Sequence, residues 1–199
     1  MRRLGLLAAA MLCATASPRG AEIASCGNCH GEAGASVDPE VPIIAGLSAA
    51  YVTANMTAYR NKERTCHAVA MTAGDRKGAT SDMCAVMHDL GAADMKPIGA
   101  YFARQTFVPA RQAADAALAA AGRQIHQQKC APCHSAGGSA ADDDAGILAG
   151  QWTPYLRRQI DEFRAGTRQP PPQMKPAIDA LDPGEIDAVL SYYASRERP

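Results

Sequence analysis

Aromatic residues are scarce in this 199-residue chain, which has six tyrosines, three phenylalanines and one tryptophan. So few large rings leave its interior short of filling and point to a core completed by something other than side chains. Net charge is absent too, with 20 basic residues against 20 acidic ones, so the chain has no basic field for nucleic acid. No apolar stretch beyond the N-terminus approaches the length of a membrane span. Strand signals are nearly missing, which points to an all-α fold. There is no dinucleotide-binding fingerprint, so any flavin must belong to another chain. The length fits one large domain or two small ones.

At the N-terminus Arg2 and Arg3 precede an apolar run from Leu4 to Thr15, and Ala14-Thr15-Ala16 forms a small-residue cleavage site. This is the layout of an export signal, with cleavage expected after Ala16 or else after Ala21. Residues 1–21 are therefore set aside, and the mature protein is expected to be soluble in the periplasm. Lipid attachment at Cys13 is disfavoured by the bulky Leu12 before it, and a buried N-terminal helix by the Arg pair and the cleavage site.

Export changes how the cysteines are read. Seven are present and Cys13 leaves with the leader, so Cys26, Cys29, Cys66, Cys84, Cys130 and Cys133 each need a covalent fate in an oxidising compartment. Four of them lie in Cys26-Gly27-Asn28-Cys29-His30 and Cys130-Ala131-Pro132-Cys133-His134. Two thiols three positions apart on a helical turn can add to the two vinyl groups of a haem, and the His that follows supplies the proximal nitrogen to iron. A thioredoxin-like dithiol would sit in a βαβ pattern that is not visible here. A four-cysteine zinc site would leave both following histidines unexplained. The expectation is two covalently bound haem c groups, with His30 and His134 as axial ligands.

The second half repeats the first. Ala45-Gly46 follows His30 at the same spacing as Ala149-Gly150 follows His134. Tyr51 and Tyr155 come next at matching positions, then Tyr59-Arg60 and Phe163-Arg164. Leu90 and Leu181 stand equally far before Tyr101-Phe102 and Tyr192-Tyr193. Helices are expected over 49–62, 154–165, 113–129 and from Asp182 to Tyr193, with another after Ala92-Ala93-Asp94. The stretch 104–109 reads as a linker broken by Pro109. Two tandem domains, 22–108 and 109–199, each enclosing one haem c, account for the pattern.

The sixth iron position commonly takes a Met, which raises the potential. Met174 is the only methionine after the second motif and follows Pro170-Pro171-Pro172-Gln173, a stiff segment able to hold a thioether in place. It lies seven residues before Leu181, and the residue seven before Leu90 is Met83. The repeat thus selects Met83 over Met56, Met71, Met87 and Met95, with Met87, one turn away, as the rival. His67, His88 and His126 are read as surface or supporting residues, and bis-His ligation as the alternative.

The first half carries about thirteen extra residues between its Tyr and its Met, counted from the matching positions. They contain Cys66, and Cys84 follows Met83 directly. A Cys66–Cys84 disulfide uses the two remaining thiols and would pin the backbone beside Met83. A regulatory thiol pair is the alternative.

The duplicated motif with Met ligands resembles the two-haem class I cytochromes c. Within these, Gln105-Thr106-Phe107-Val108-Pro109-Ala110-Arg111-Gln112 and Ile147-Leu148-Ala149-Gly150-Gln151-Trp152-Thr153-Pro154-Tyr155-Leu156 are most similar to the cytochrome subunit of flavocytochrome c sulfide dehydrogenase. The disulfide-bearing insert departs from that family's pattern. The resemblance implies a haem subunit docked on an FAD-bearing partner that oxidises sulfide, with a cytochrome or oxidase downstream. A free-standing electron shuttle is the alternative. An enzyme acting at an open haem is disfavoured, because both haems have a Met and no acid–base cluster accompanies them.

Overall fold

Serine and aspartate side chains cap several of the helix starts. The computed structural model describes residues 18–196, so the expected leader lies, as far as Ser17, outside the described residues. In the first half, helix α1 (Pro18–His30) runs through the first Cys-x-x-Cys-His segment. Helix α2 (Ala49–Arg60) begins where Ser48 Oγ accepts from Tyr51 N. Strands β1 (Val69–Ala70) and β2 (Thr80–Ser81) pair antiparallel, Val69 opposite Ser81. Helix α3 (Met83–Asp89) is capped by Asp82, and α4 (Ala92–Ala103) closes the half.

In the second half, α5 (Ala116–Ile125) starts where Asp115 accepts from Ala117 N and Leu118 N, three residues later than the expected Ala113. Its end widens into a π-turn, His126–Cys130, that delivers the second motif. A short α6 (Ser135–Gly138) follows. Helix α7 (Thr153–Ala165) has Pro154 in its first turn and stops at Gly166 in the left-handed conformation. Helix α8 (Lys175–Asp179) is one turn, and α9 (Pro183–Ala194) opens with a capping box between Asp182 and Glu185. The fold is helical and two-domained. The only strands among the described residues lie in the first-half insert.

The repeat seen in sequence is a repeat of backbone bonds. Gly34 O accepts from Ile44 N and Ala45 N, and Gly138 O accepts from Leu148 N and Ala149 N. Gly46 N donates to Phe102 O at 2.8 Å, and Gly150 N to Tyr193 O at 2.9 Å. Gly34 and Gly138 have φ of 87° and 85°, a conformation that a side chain would strain. Each tie brings the loop after a motif onto the last helix of its own half.

Packing follows two clusters. The first gathers Ile43, Leu47, Val52, Met56, Met87, Met95, Ile98, Phe102 and Phe107. The second gathers Tyr155, Leu156, Phe163, Ile178, Leu181, Ile186, Val189, Leu190, Tyr192 and Tyr193. All three phenylalanines are buried, consistent with their scarcity. Trp152 packs against both clusters and so spans the halves.

A polar seam joins the halves. The Gln151 amide exchanges two bonds of 2.9 Å with the backbone N and O of Ile43, deep in the interior. Trp152 Nε1 donates to Ser36 O at 3.0 Å, and Tyr155 N to Pro39 O. Gln112 in turn holds Gln151 O and Thr153 N.

Candidate haem-binding sites

Each motif ends in a histidine whose ring is oriented by a backbone carbonyl. His30 is buried, and its Nδ1 lies 2.9 Å from Pro42 O. A carbonyl can only accept, so Nδ1 carries the hydrogen and Nε2 keeps its lone pair for a metal. In the second half His134 is bonded in the same way to Gly146, the residue that matches Pro42 in the repeat. Burial holds both imidazoles below the ordinary histidine pKa, so they stay neutral.

Cys26, Cys29, Cys130 and Cys133 are not paired with one another. Burial pushes the Cys26 thiol up to about 11 and raises Cys29 and Cys130 as well. A working dithiol centre needs the opposite shift, toward thiolate. Cys66 and Cys84 do form a disulfide, with their Cα atoms 5.8 Å apart. Their closeness to Asp82 therefore offers no pair of free thiolates to a metal.

The candidate distal residues fall at equivalent places. Met83 opens α3 and Met174 immediately precedes α8; both are half-buried, each against its own core cluster. Met87 is only 1% exposed and is enclosed by protein on all sides, as a core residue is. Met56, Met71 and Met95 are buried as well.

Among the other histidines, His88 is exposed beside Asp89 and His67 is bonded to Glu162 Oε1 at 2.6 Å. His126 departs from the surface reading. It is buried, its Nδ1 lies 3.0 Å from Tyr193 Oη, and its Nε2 has no partner among the described residues.

A feature that went unread in the sequence lies on the seam. Arg64 and Arg168 occupy matching positions of the repeat, as do Asn55 and Gln159. Arg64 donates to Asn55 Oδ1 at 2.6 Å and to Gln159 Oε1; Arg168 donates to Gln159 Oε1 at 2.5 Å and Asn55 Oδ1 at 3.2 Å. Arg64 stacks over Tyr59 and Arg168 over Phe163. Neither guanidinium has a carboxylate partner among the described residues, and Arg64 Nε is buried without any partner. Buried cations without counter-ions are costly. Two prosthetic groups bearing carboxylates would supply what is missing, so the residues present fit haem.

The fold and these paired segments define a class I cytochrome c with two haem c groups, an electron-transfer protein. A family model described as "Cytochrome C oxidase, cbb3-type, subunit III" matches residues 117–192, and cytochrome c4 of Pseudomonas aeruginosa is 30% identical over 174 residues, 83% of this chain and 79% of that protein. The chain belongs to the cytochrome c4 family. The crystal structure of reduced recombinant cytochrome c4 from Pseudomonas stutzeri superposes with a TM-score of 0.71 at 25% identity, covering 92% of this chain and all of that one. A thiosulfate dehydrogenase electron acceptor of Stutzerimonas stutzeri is 27% identical over 175 residues, 86% of this chain and 78% of that protein. The finer resemblance to the flavocytochrome subunit finds no counterpart among these relatives.

Proposed function

We propose that residues 22–108 and 109–199 are the two haem domains. Cys26 and Cys29 would hold the first haem, with His30 and Met83 offering ligands to its iron; Cys130 and Cys133 would hold the second, with His134 and Met174 in the same roles. The carbonyl-oriented histidines and the half-buried Met83 and Met174 support this assignment, as does the enclosure of Met87 in the core. Each haem supplies an iron that gains and loses one electron. Pro42 and Gly146 keep the imidazoles oriented, Arg64 and Arg168 neutralise haem carboxylates at the seam, and the clusters exclude water.

The chain works in the periplasm as a free-standing carrier between a protein that oxidises a reduced sulfur compound and a terminal cytochrome, oxidase or reductase. The seam supports electron transfer through two coupled halves, and the free-standing form rests on the match to cytochrome c4 along most of both chains. Gln151, Trp152 and Tyr155 tie the halves into one unit through buried bonds, so an electron taken at one half has a built route to the other. A reduced sulfur compound as the upstream fuel rests on the relative named as a thiosulfate dehydrogenase electron acceptor.

The second reading is a haem subunit fixed to an FAD-bearing, sulfide-oxidising partner. It is favoured by the Gln105–Gln112 and Ile147–Leu156 segments. In this fold those residues serve the seam: Gln112, Gln151, Trp152 and Tyr155 all bond across it or within it. They account for the pairing of two haem domains with or without a flavoprotein.

Co-expression with a flavoprotein encoded nearby, followed by size-exclusion chromatography, separates the two readings. A monomeric cytochrome whose haems stay oxidised on adding sulfide, but are reduced by a thiosulfate-oxidising donor, supports the carrier. A stable complex with sulfide-dependent haem reduction replaces it with the subunit reading.

A further inference from the structure

The two attachment segments repeat in sequence but not in exposure. Asn28 and Cys29 are half-buried, whereas Pro132 and Cys133 at the matching positions are exposed. The β1–β2 hairpin covers the first segment. Asn28 O accepts from Thr72 N at 2.7 Å, Ala73 N at 3.2 Å and Thr72 Oγ1 at 3.3 Å. Gly74 follows with φ 75°, and a Cβ there would come 2.0 Å from Asn28 Oδ1, so the turn lies directly on that side chain.

The hairpin is held at several points. The Cys66–Cys84 disulfide closes its base, His67 bonds to Glu162 of the other half, and Met71 is buried beneath it. Its tip carries exposed Asp75, Arg76 and Lys77. The second half lacks the insert, and among the described residues nothing is bonded to Pro132 O. Exposed Asp142, Asp143 and Asp144 flank that segment instead, Asp143 bonding to Ser135 N at 2.6 Å and Ser135 Oγ at 2.9 Å.

We infer that the hairpin is a fixed strap closing the first attachment segment to other proteins, and that the chain exchanges electrons at the second, around Pro132 and Cys133, with a redox protein presenting a basic face. This rests on the reading of both segments as haem-attachment sites. Occlusion and charge act independently and in the same direction. The strap bars close approach to Asn28 and Cys29, and close approach is what electron exchange between proteins requires. Arg76 and Lys77 outnumber Asp75 at the tip of the strap, while Asp142 and Asp144 draw a basic face to the second segment. One electron moves: the partner is oxidised, one iron of this chain passes from ferric to ferrous, and no bond or proton is transferred.

The test uses the dihaem protein, its two haems first verified by denaturing mass spectrometry, so that a failed haem assignment is told apart from a failed docking assignment. The probe is a reduced mitochondrial-type cytochrome c, a basic one-electron donor. Stopped-flow mixing gives the transfer rate, and carbodiimide cross-linking with peptide mapping locates the contact without relying on transfer. Asp142→Lys is expected to lower the low-salt rate about tenfold. The double variant Arg76→Glu/Lys77→Glu is expected to leave it within about twofold of the original. Cross-links should fall on Asp142 and Asp144, and releasing the strap with Gly74→Val should add links at Glu32, beside the first segment. Cross-links on Glu32 in the unaltered protein, or a rate raised by the strap variant as far as Asp142→Lys lowers it, overturn the inference.

Discussion

The two halves share one pattern of loops and are stabilised by different means. In the second half α5 crosses α9 so closely that a Cβ on Gly122 would come 1.9 Å from Ala188 O. Helix α9 buries Ile186, Ala188, Val189, Leu190, Tyr192, Tyr193 and Ala194 in that crossing and the core around it. In the first half α4 buries only Met95, Ile98, Gly99 and Phe102, and it carries Pro97 in its interior. There the closest helix approach is between α4 and α2, where a Cβ on Gly99 would meet Thr53 Oγ1 and Ala49 O. The disulfide and the hairpin it closes supply what the shorter apolar face of α4 does not. A duplicated unit can thus keep its carbonyl-anchored histidines and glycine turns while replacing helix contact with a covalent cross-link.

This contrast breaks first at Gly122. Gly122→Val forces α5 away from α9 and is expected to destabilise the second half by about 3–5 kcal/mol, in the range of severe core disruption. Urea titration followed by circular dichroism should show the shared transition of the two coupled halves moved to lower urea. A single unshifted transition would mean that the crossing does not hold the second half.

Cys66→Ser/Cys84→Ser is the matching cut in the first half. The two residues are 18 apart, and removing a cross-link of that span costs about 3 kcal/mol in the chain-entropy model. The loss should appear as a lower midpoint of the shared transition, and the Met–iron band of the first half should weaken more than that of the second, because only Met83 adjoins the tether. Equal weakening of both bands would remove the tether's local role.

Gln151→Ala tests what couples the halves. It leaves Ile43 N and Ile43 O, both paired through the Gln151 amide, without their partner in the interior. The expected cost is about 1–3 kcal/mol, and the two halves should then unfold in separate steps. Trp152→Phe removes only the bond to Ser36 O and should cost about 1 kcal/mol while keeping one step.

The attachment cysteines and the repeat were legible because covalent chemistry and a duplicated register leave marks at fixed spacings. Asp182 caps a helix in the way its chemistry dictates, and apolar spacing placed the ends of α5, α7 and α9 within a few residues. The hairpin was not legible. Two two-residue strands carry no alternation, and the turn between them bonds to the backbone of Asn28, far away in sequence. The burial of His126 was not legible for a related reason: it depends on Tyr193, which α9 brings in from the far end of the chain. Arg64 and Arg168 were readable in principle, since they stand in the same register as Tyr51 and Tyr155. A charge run gives no sign of burial until the seam is built. The resemblance to a flavocytochrome subunit was drawn from Gln112, Gln151 and Trp152, whose structural work is to join two haem domains.

The register that assigns Met83 in the first half and Met174 in the second is the centre of this account. The most direct measurement is the Met–iron charge-transfer absorption of the oxidised protein, recorded for Met83→Ala, Met174→Ala and Met87→Ala. Met83→Ala and Met174→Ala are each expected to abolish one band and lower the potential of one haem, since a thioether favours ferrous iron. Met87→Ala should cost stability, as truncation of a buried Met does, and leave both bands in place. Loss of a band in Met87→Ala with both bands intact in Met83→Ala would contradict the register.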